Sequence, residues 1–222
     1  MDGTAGAAFV GMSGTCKPHQ TFKTYGYFDA LPDSVPTIIG SIGNKKFRRT
    51  MGGGRIIINA DSFMGSQNTS LLADGLPLKG TNQTGKLAGG SGGYIAVITS
   101  NKVYTNSVDN GAKISAVGGH GIKNGGGGGG GIIVIDGDWD NSKDMFDASG
   151  GLSDFRPNKT EYNGCANGAP GTVWLKSEDI LIVDNKDKIT NKFTRILAPT
   201  HHTRKLDSPH LIATTFVLKG RA

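Results

Sequence analysis

The sequence predicts an all-β chain and, within that class, a parallel β-helix (β-solenoid) with glycine-rich turns. Three observations carry this expectation. The first is that glycine runs repeatedly feed short β-branched strands. The last glycine before each strand is Gly54 (RIIINA), Gly93 (YIAVIT), Gly131 (IIVID) and Gly171 (TVWLK), at separations of 39, 38 and 40 residues. Spacing that regular marks stacked structural units. The second is that weaker strands ending in a small residue and glycine, SLLADG, KISAVGG and MFDASGG, fall between them, which brings the true repeat nearer half the long period. The third is that no stretch keeps a helical period, because glycine interrupts every candidate.

In chain order, residues 1–50 read as an irregular lead-in segment, residues 51–189 as the glycine-rich repeats and residues 190–222 as a C-terminal β capping segment. The last of these holds ITNKFTRIL and HLIATTFVLKG. Terminal repeats must cover an open core end, so atypical ends are expected. The predicted strands are 55–60, 70–74, 94–99, 113–117, 132–136, 145–148, 172–176 and 180–184. Proline is absent from all of them, and Gly, Asn and Asp fill the gaps, as turns require. The near-continuous apolar character of RIIINA, YIAVIT and IIVID suits strands in a parallel sheet. All eight are expected to pair in parallel, with Ile57, Ile95, Ile114, Ile133 and Val173 in apolar ladders. The alternative is a glycine-rich β-sandwich in which Gly52–Gly54 and Gly125–Gly131 lie as extended polyglycine segments packed together. A sandwich would favour two-residue hairpins, and only Asn110-Gly111 and Asp136-Gly137 come close to one.

With 222 residues, the chain suits one domain able to bury a continuous core. Its 36 glycines sit among strands rich in Val, Ile, Leu and Thr, which excludes a collagen-like or plainly disordered chain. No apolar run reaches the roughly 18 residues a membrane helix needs, so no direct membrane insertion is expected. The start, MDGTAGAAFVG, lacks the regions of a signal peptide, so a secreted origin implies a mature piece or a fragment. Lys and Arg number 24 against 18 Asp and Glu, a formal +6. The densest cluster, Lys45, Lys46, Arg48 and Arg49, fits acidic glycans or a simple solvated loop. Phe47 is the single aromatic within it, short of the interleaved row a stacking platform needs, so nucleic acid is not expected as a partner.

The sharpest chemical pattern is DGDWDNSKDMFD. As a twelve-residue loop it places Asp136, Asp138 and Asp140 at positions one, three and five, Asn141 at six, Ser142 at seven, Asp144 at nine and Asp147 at twelve. Hard oxygen donors at alternating positions predict a calcium ion, held by those five aspartates. Against it stand Lys143 at position eight, Asp rather than Glu at position twelve, and the plain reading of an acidic turn. GGSGG, Gly89–Gly93, matches GxSxG but precedes a strand instead of opening a helix, so Ser91 is not expected to be a nucleophile. The seven glycines from Gly125 match GxGxxG without the required strand-turn-helix context. His201 and His202 are adjacent and would point to opposite faces of a strand. No catalytic residue is predicted. Sequons at Asn68, Asn82 and Asn158 predict glycosylation on a secretory route. Cys16 and Cys165 cannot hold a structural zinc alone, which leaves a long-range disulfide or two buried thiols.

The ordered blocks GAAFVGMSGTC, TYGYF, GGGRIIINA, LLADG, GGSGGYIAV, ISAVGGHG, GGGGGGGIIVI and NGCANGAPGTVWL with LIVDN resemble those of a family of large glycine-rich cell-surface proteins. These occur in plants and are similar to surface proteins of ciliates and other protists. The resemblance spans roughly residues 5–185. It implies an extracellular, β-solenoid-like part of a larger membrane-anchored protein without established catalytic residues. It also implies a disulfide between Cys16 and Cys165, because the family commonly carries cysteines near both positions. TFKTYGYFDALPDSVPTIIG departs from the family by replacing glycine near the start. The expected function is therefore an extracellular structural or adhesive module, partnered by other copies or by neighbouring segments of a surface assembly. A carbohydrate-binding or polysaccharide-cleaving β-helix, a lyase or hydrolase, is the alternative.

Overall fold

The computed structural model describes residues 51–65, 69–77, 87–105, 113–122, 125–139, 145–153, 166–190, 194 and 215–220. The fold of these residues is all-β, with no α-helix among them. The strands are β1 (Arg55–Ala60), β2 (Phe63–Gly65), β3 (Ser70–Leu72), β4 (Tyr94–Thr105), β5 (Lys113–Ser115), β6 (Ile132–Trp139), β7 (Phe146–Asp147), β8 (Thr172–Leu175), β9 (Ile180–Asp184) and β10 (Thr215–Lys219). The first sheet has the order β1-β4-β6-β8-β9-β10, with β2 also on β4, and the second has the order β3-β5-β7. From β2 to β8 the chain alternates between the two sheets, and every pairing among β1 to β8 is parallel.

All eight predicted strands form, but two expectations need correction. β9 pairs antiparallel to β8. Only four residues, 176–179, join them, closed by the Asp179 N–H donating to the Lys176 carbonyl, with Asp179 at φ 55°. A parallel crossover needs about a dozen residues or more, so a link this short forces a hairpin. The second correction concerns register. Ile56, not Ile57, stands in the row of Ile95, Ile133 and Val173, while Ile57 aligns with Ala96, Val134 and Trp174 on the opposite face. One residue of slip exchanges the faces of a strand, and three consecutive isoleucines hide which face is inward. Ile114 is a core residue of the second sheet, in the row Leu71, Ile114, Phe146.

The two sheets share one apolar core. Ile95, Val97, Ile133, Ile135, Val173, Leu175 and Ile182 from the first face Ile114, Phe146, Ala73, Ala116 and Ala148 from the second. Full burial of each aliphatic side chain contributes about 1.5–3 kcal/mol. Along each strand the inward positions shrink toward the glycine runs: Ile135, Ile133, Gly131 in the first sheet, and Phe146, Ala148, Gly150 in the second. Packed sheets stand about 10 Å apart, and the taper brings them together until backbone touches backbone. There Gly93, Gly131 and Gly171 donate their N–H groups across the gap to the carbonyls of Ala73, Ala116 and Ala148.

Beyond that line the glycine runs form two backbone layers. The three-residue recurrence of their hydrogen bonds is that of a polyproline-II-type chain. Gly89 and Gly92 donate to Gly126 and Gly129, and Gly127 and Gly130 donate to Ala166 and Ala169. Between the layers a zig-zag of bonds of 2.7–2.9 Å runs through seven segments. Leu76 donates to Met51, Gly90 to Leu76, Gly119 to Gly90, Gly128 to Gly119, Gly151 to Gly128 and Gly168 to Gly151. Unpaired buried backbone groups are costly, so this array accounts for polar groups that no side chain could reach. Glycine is required by the closeness itself: a Cβ on Gly90 would collide with the Met51 carbonyl, and one on Gly128 with the Gly90 carbonyl.

Candidate functional site

The most elaborate polar constellation lies where the glycine layers end, in the segment after β9. Within the second layer, Gly75 donates to the Val117 carbonyl at 2.8 Å and Gly118 to the Ser149 carbonyl at 3.0 Å. The next donor in the series, Gly150, meets the side-chain Oδ1 of Asn185 at 3.0 Å instead. Asn185 is fully buried, and its Nδ2 donates to the Lys188 carbonyl at 2.7 Å. Lys188 Nζ donates to the Gly150 carbonyl at 2.7 Å and to Ser149 Oγ at 2.6 Å.

The first layer ends in the same manner. Asn167 and Pro170, three apart on the last run, accept from the hydroxyls of Thr190 at 3.0 Å and Thr194 at 2.7 Å. Asn167 Nδ2 also donates to the Ile189 carbonyl at 2.8 Å. Side-chain amides and hydroxyls thus occupy the places that backbone groups of a further run would take.

Ser149 and Lys188 have the spacing of a serine nucleophile with a lysine base. Their surroundings exclude that use. Ser149 has no exposed surface, and its hydroxyl gives its proton to Asp147 Oδ1 at 2.6 Å. Lys188 Nζ is at the same time tied to the Gly150 carbonyl at 2.7 Å, a contact that fixes it to the end of the glycine layer. The cluster ties β7, the glycine layer and the cap together. Ser91 is also fully buried, within the run that feeds β4.

Of the predicted calcium aspartates, three are described: Asp136 and Asp138 in the first sheet and Asp147 in the second. Asp136 and Asp138 lie in β6, extended and paired with β4 at Ile98 and Lys102, so the first four positions of the supposed loop are strand. Asp136-Gly137 is consequently not a hairpin turn. Asp136 Oδ2 is 2.6 Å from Lys176 Nζ. Asp147 lies in β7 with Oδ1 turned to the N–H and hydroxyl of Ser149. Asp140 and Asp144 lie outside the described residues, as do Cys16, Cys165, Asn68, Asn82, Asn158, His201, His202 and the basic cluster at residues 45–49. Among the described residues, no three His, Cys, Asp or Glu side chains converge as a metal site would need.

No family model, no curated protein and no solved structure matches the chain. The capping residues Asn185, Lys188, Thr190 and Thr194 escaped the sequence reading. Each is an ordinary polar residue without a motif, and only the position of a β9 hairpin brings them onto the open layer. The one advance signal is the break in the glycine-strand rhythm after Leu175, where LKSEDILIVDN replaces another glycine run.

Proposed function

We propose that this chain is an extracellular structural or adhesive module, built as a glycine-rich β-solenoid and assembled with other copies or with neighbouring segments of a larger surface protein. The zig-zag of backbone bonds through seven successive segments is the observation that carries this reading. A chain organised in this way spends its glycines on rigid backbone contact. Among the described residues, the polar clusters at Asn185, Lys188, Thr190 and Thr194 close the layers. Alternation of strands between two sheets every 38 to 40 residues supports a solenoid, because each unit packs chiefly on its sequence neighbours.

Antibody labelling of intact, unpermeabilised source cells tests the proposal, with permeabilised cells as the control. Surface staining on intact cells is the expected result. Staining only after permeabilisation would overturn the extracellular assignment. Saturable binding to an acidic-glycan array, accompanied by release of shorter sugars, would replace the structural reading with the polysaccharide-cleaving one.

A further inference from the structure

We propose that Asn167-Gly168 is a covalent modification site held closed by the cap: it deamidates when the segment after β9 lifts, and the product keeps that end of the first layer open. The chemistry needs only this pair and water. The Gly168 nitrogen attacks Asn167 Cγ and loses its proton, the side-chain nitrogen leaves as ammonia, and a cyclic succinimide results. Water then opens the ring at either carbonyl to give aspartate or isoaspartate, with no change of oxidation state. Glycine favours the first step because it has no Cβ to obstruct the approach and permits the backbone rotation that the approach requires.

Every participating group is held in the folded chain. The Gly168 N–H donates to the Gly151 carbonyl at 2.9 Å, as the last step of the zig-zag between the layers. Asn167 Nδ2 donates to the Ile189 carbonyl at 2.8 Å, and the Asn167 carbonyl accepts from Thr190 Oγ1 at 3.0 Å. Asn167 Oδ1 accepts from the Ser153 N–H at 2.8 Å and from Ser153 Oγ at 3.1 Å. A backbone N–H can only donate, which fixes the side-chain oxygen on the Ser153 side. These two donors polarise the amide carbonyl in the sense that addition at Cγ requires. Asn167 is thus activated at Cγ, while its nucleophile is tied to another run and its leaving group to the cap. Gly168 is buried and Asn167 half-buried, which leaves the side chain within reach of water.

Refolding cannot restore the lost amide. A carboxylate oxygen in the place of Nδ2 would face the Ile189 carbonyl, acceptor against acceptor. Isoaspartate lengthens the main chain by one atom between Ala166 and Ala169, whose carbonyls accept from Gly127 at 3.2 Å and from Gly130 at 2.9 Å. Both bonds then no longer fit one register.

Peptide mapping of the full chain by mass spectrometry tests the proposal, with digestion in heavy-oxygen water to mark conversion during handling. Fragment ions separate Asn167 from Asn163, which shares its tryptic peptide, residues 160–176. At mildly alkaline pH, conversion at Asn167 is expected to be more than about tenfold slower in the folded protein than in urea, because the reaction must await local opening. Thr190→Val and Asn185→Ala, each checked as folded by circular dichroism, should speed conversion in native buffer and leave the rate in urea unchanged. Asn167→Asp, which imitates one product, should speed amide hydrogen exchange at Gly168 by more than about tenfold. Equal rates in folded and urea-unfolded protein, no conversion in urea, no acceleration by either cap variant, or unchanged exchange in Asn167→Asp would each overturn the inference.

Discussion

Alanine at Gly93 and at Gly54 should have opposite consequences, although the two glycines hold equivalent places in adjacent units. At Gly93 the new methyl would collide with the Gly54 carbonyl. Relief requires the runs to separate, and three backbone bonds lie in the path: Gly93 to Ala73 at 2.8 Å, Tyr94 to Gly54 at 3.0 Å and Ile132 to Gly93 at 2.9 Å. Each is worth about 0.5–1.5 kcal/mol net, so Gly93→Ala should cost about 3 kcal/mol, and more where a buried group is left unpaired. For a chain of this size that corresponds to a fall in melting temperature of roughly 6–12 °C. At Gly54 none of the described residues lies within 4 Å of the new methyl, and alanine restricts only the unfolded chain, a gain of about 0.4–1 kcal/mol where the backbone tolerates it. Urea denaturation followed by circular dichroism measures both. A loss below about 1 kcal/mol for Gly93→Ala, or an equal loss for Gly54→Ala, would refute the claim that backbone closeness, not turn geometry, places these glycines.

Three further outcomes are expected. Asn185→Ala leaves the Gly150 N–H without its acceptor in the buried cap and should destabilise the fold by about 1–3 kcal/mol in the same assay. Ile133→Ala opens a cavity at a fully buried row position and should cost about 2–5 kcal/mol, whereas Ile57→Ala, on the opposite face of β1, should cost clearly less; comparable denaturation midpoints would contradict the observed register. Burial raises the Tyr94 phenol above the ordinary tyrosine value near 10, with Arg55 across the β1–β4 pair opposing the shift. A raised folded-state value means that Tyr94 stabilises the fold fully below pH 10 and that this contribution is lost as pH rises through the folded value. Ultraviolet phenolate titration should therefore find one late-ionising tyrosine that disappears in Tyr94→Phe.

Much of the fold was legible because it depends on local chemistry. The glycine-to-strand boundaries at Gly54, Gly93, Gly131 and Gly171 mark where side chains can no longer fit, and β-branched runs mark where they must. Pairing direction was less legible. The β8–β9 reversal is written in a four-residue link, 176–179, which signals a hairpin only when loop length is weighed above the repeat rhythm. Register in RIIINA was hidden because Ile56, Ile57 and Ile58 are chemically alike and alternate faces. In the acidic segment an alternation of Asp that suits a loop is also a legal strand pattern, and pairing with β4 makes residues 136–139 strand.

The sequence by itself determined the all-β class, the eight principal strands and the glycine runs between them, whose packing backbone on backbone it offered only with the sandwich alternative. All of these follow from side-chain size and backbone freedom, properties that each residue carries alone. Only the tertiary structure decided which ends of the layers were closed. Asn185, Lys188, Thr190 and Thr194 acquire a role because unsatisfied N–H and C=O groups of Gly150, Asn167 and Pro170 lie within hydrogen-bond reach. Among the described residues, a run packs on the far side of Gly93 and none does on that of Gly54. Such distinctions belong to neighbours distant in sequence, and composition and spacing have no means of expressing them.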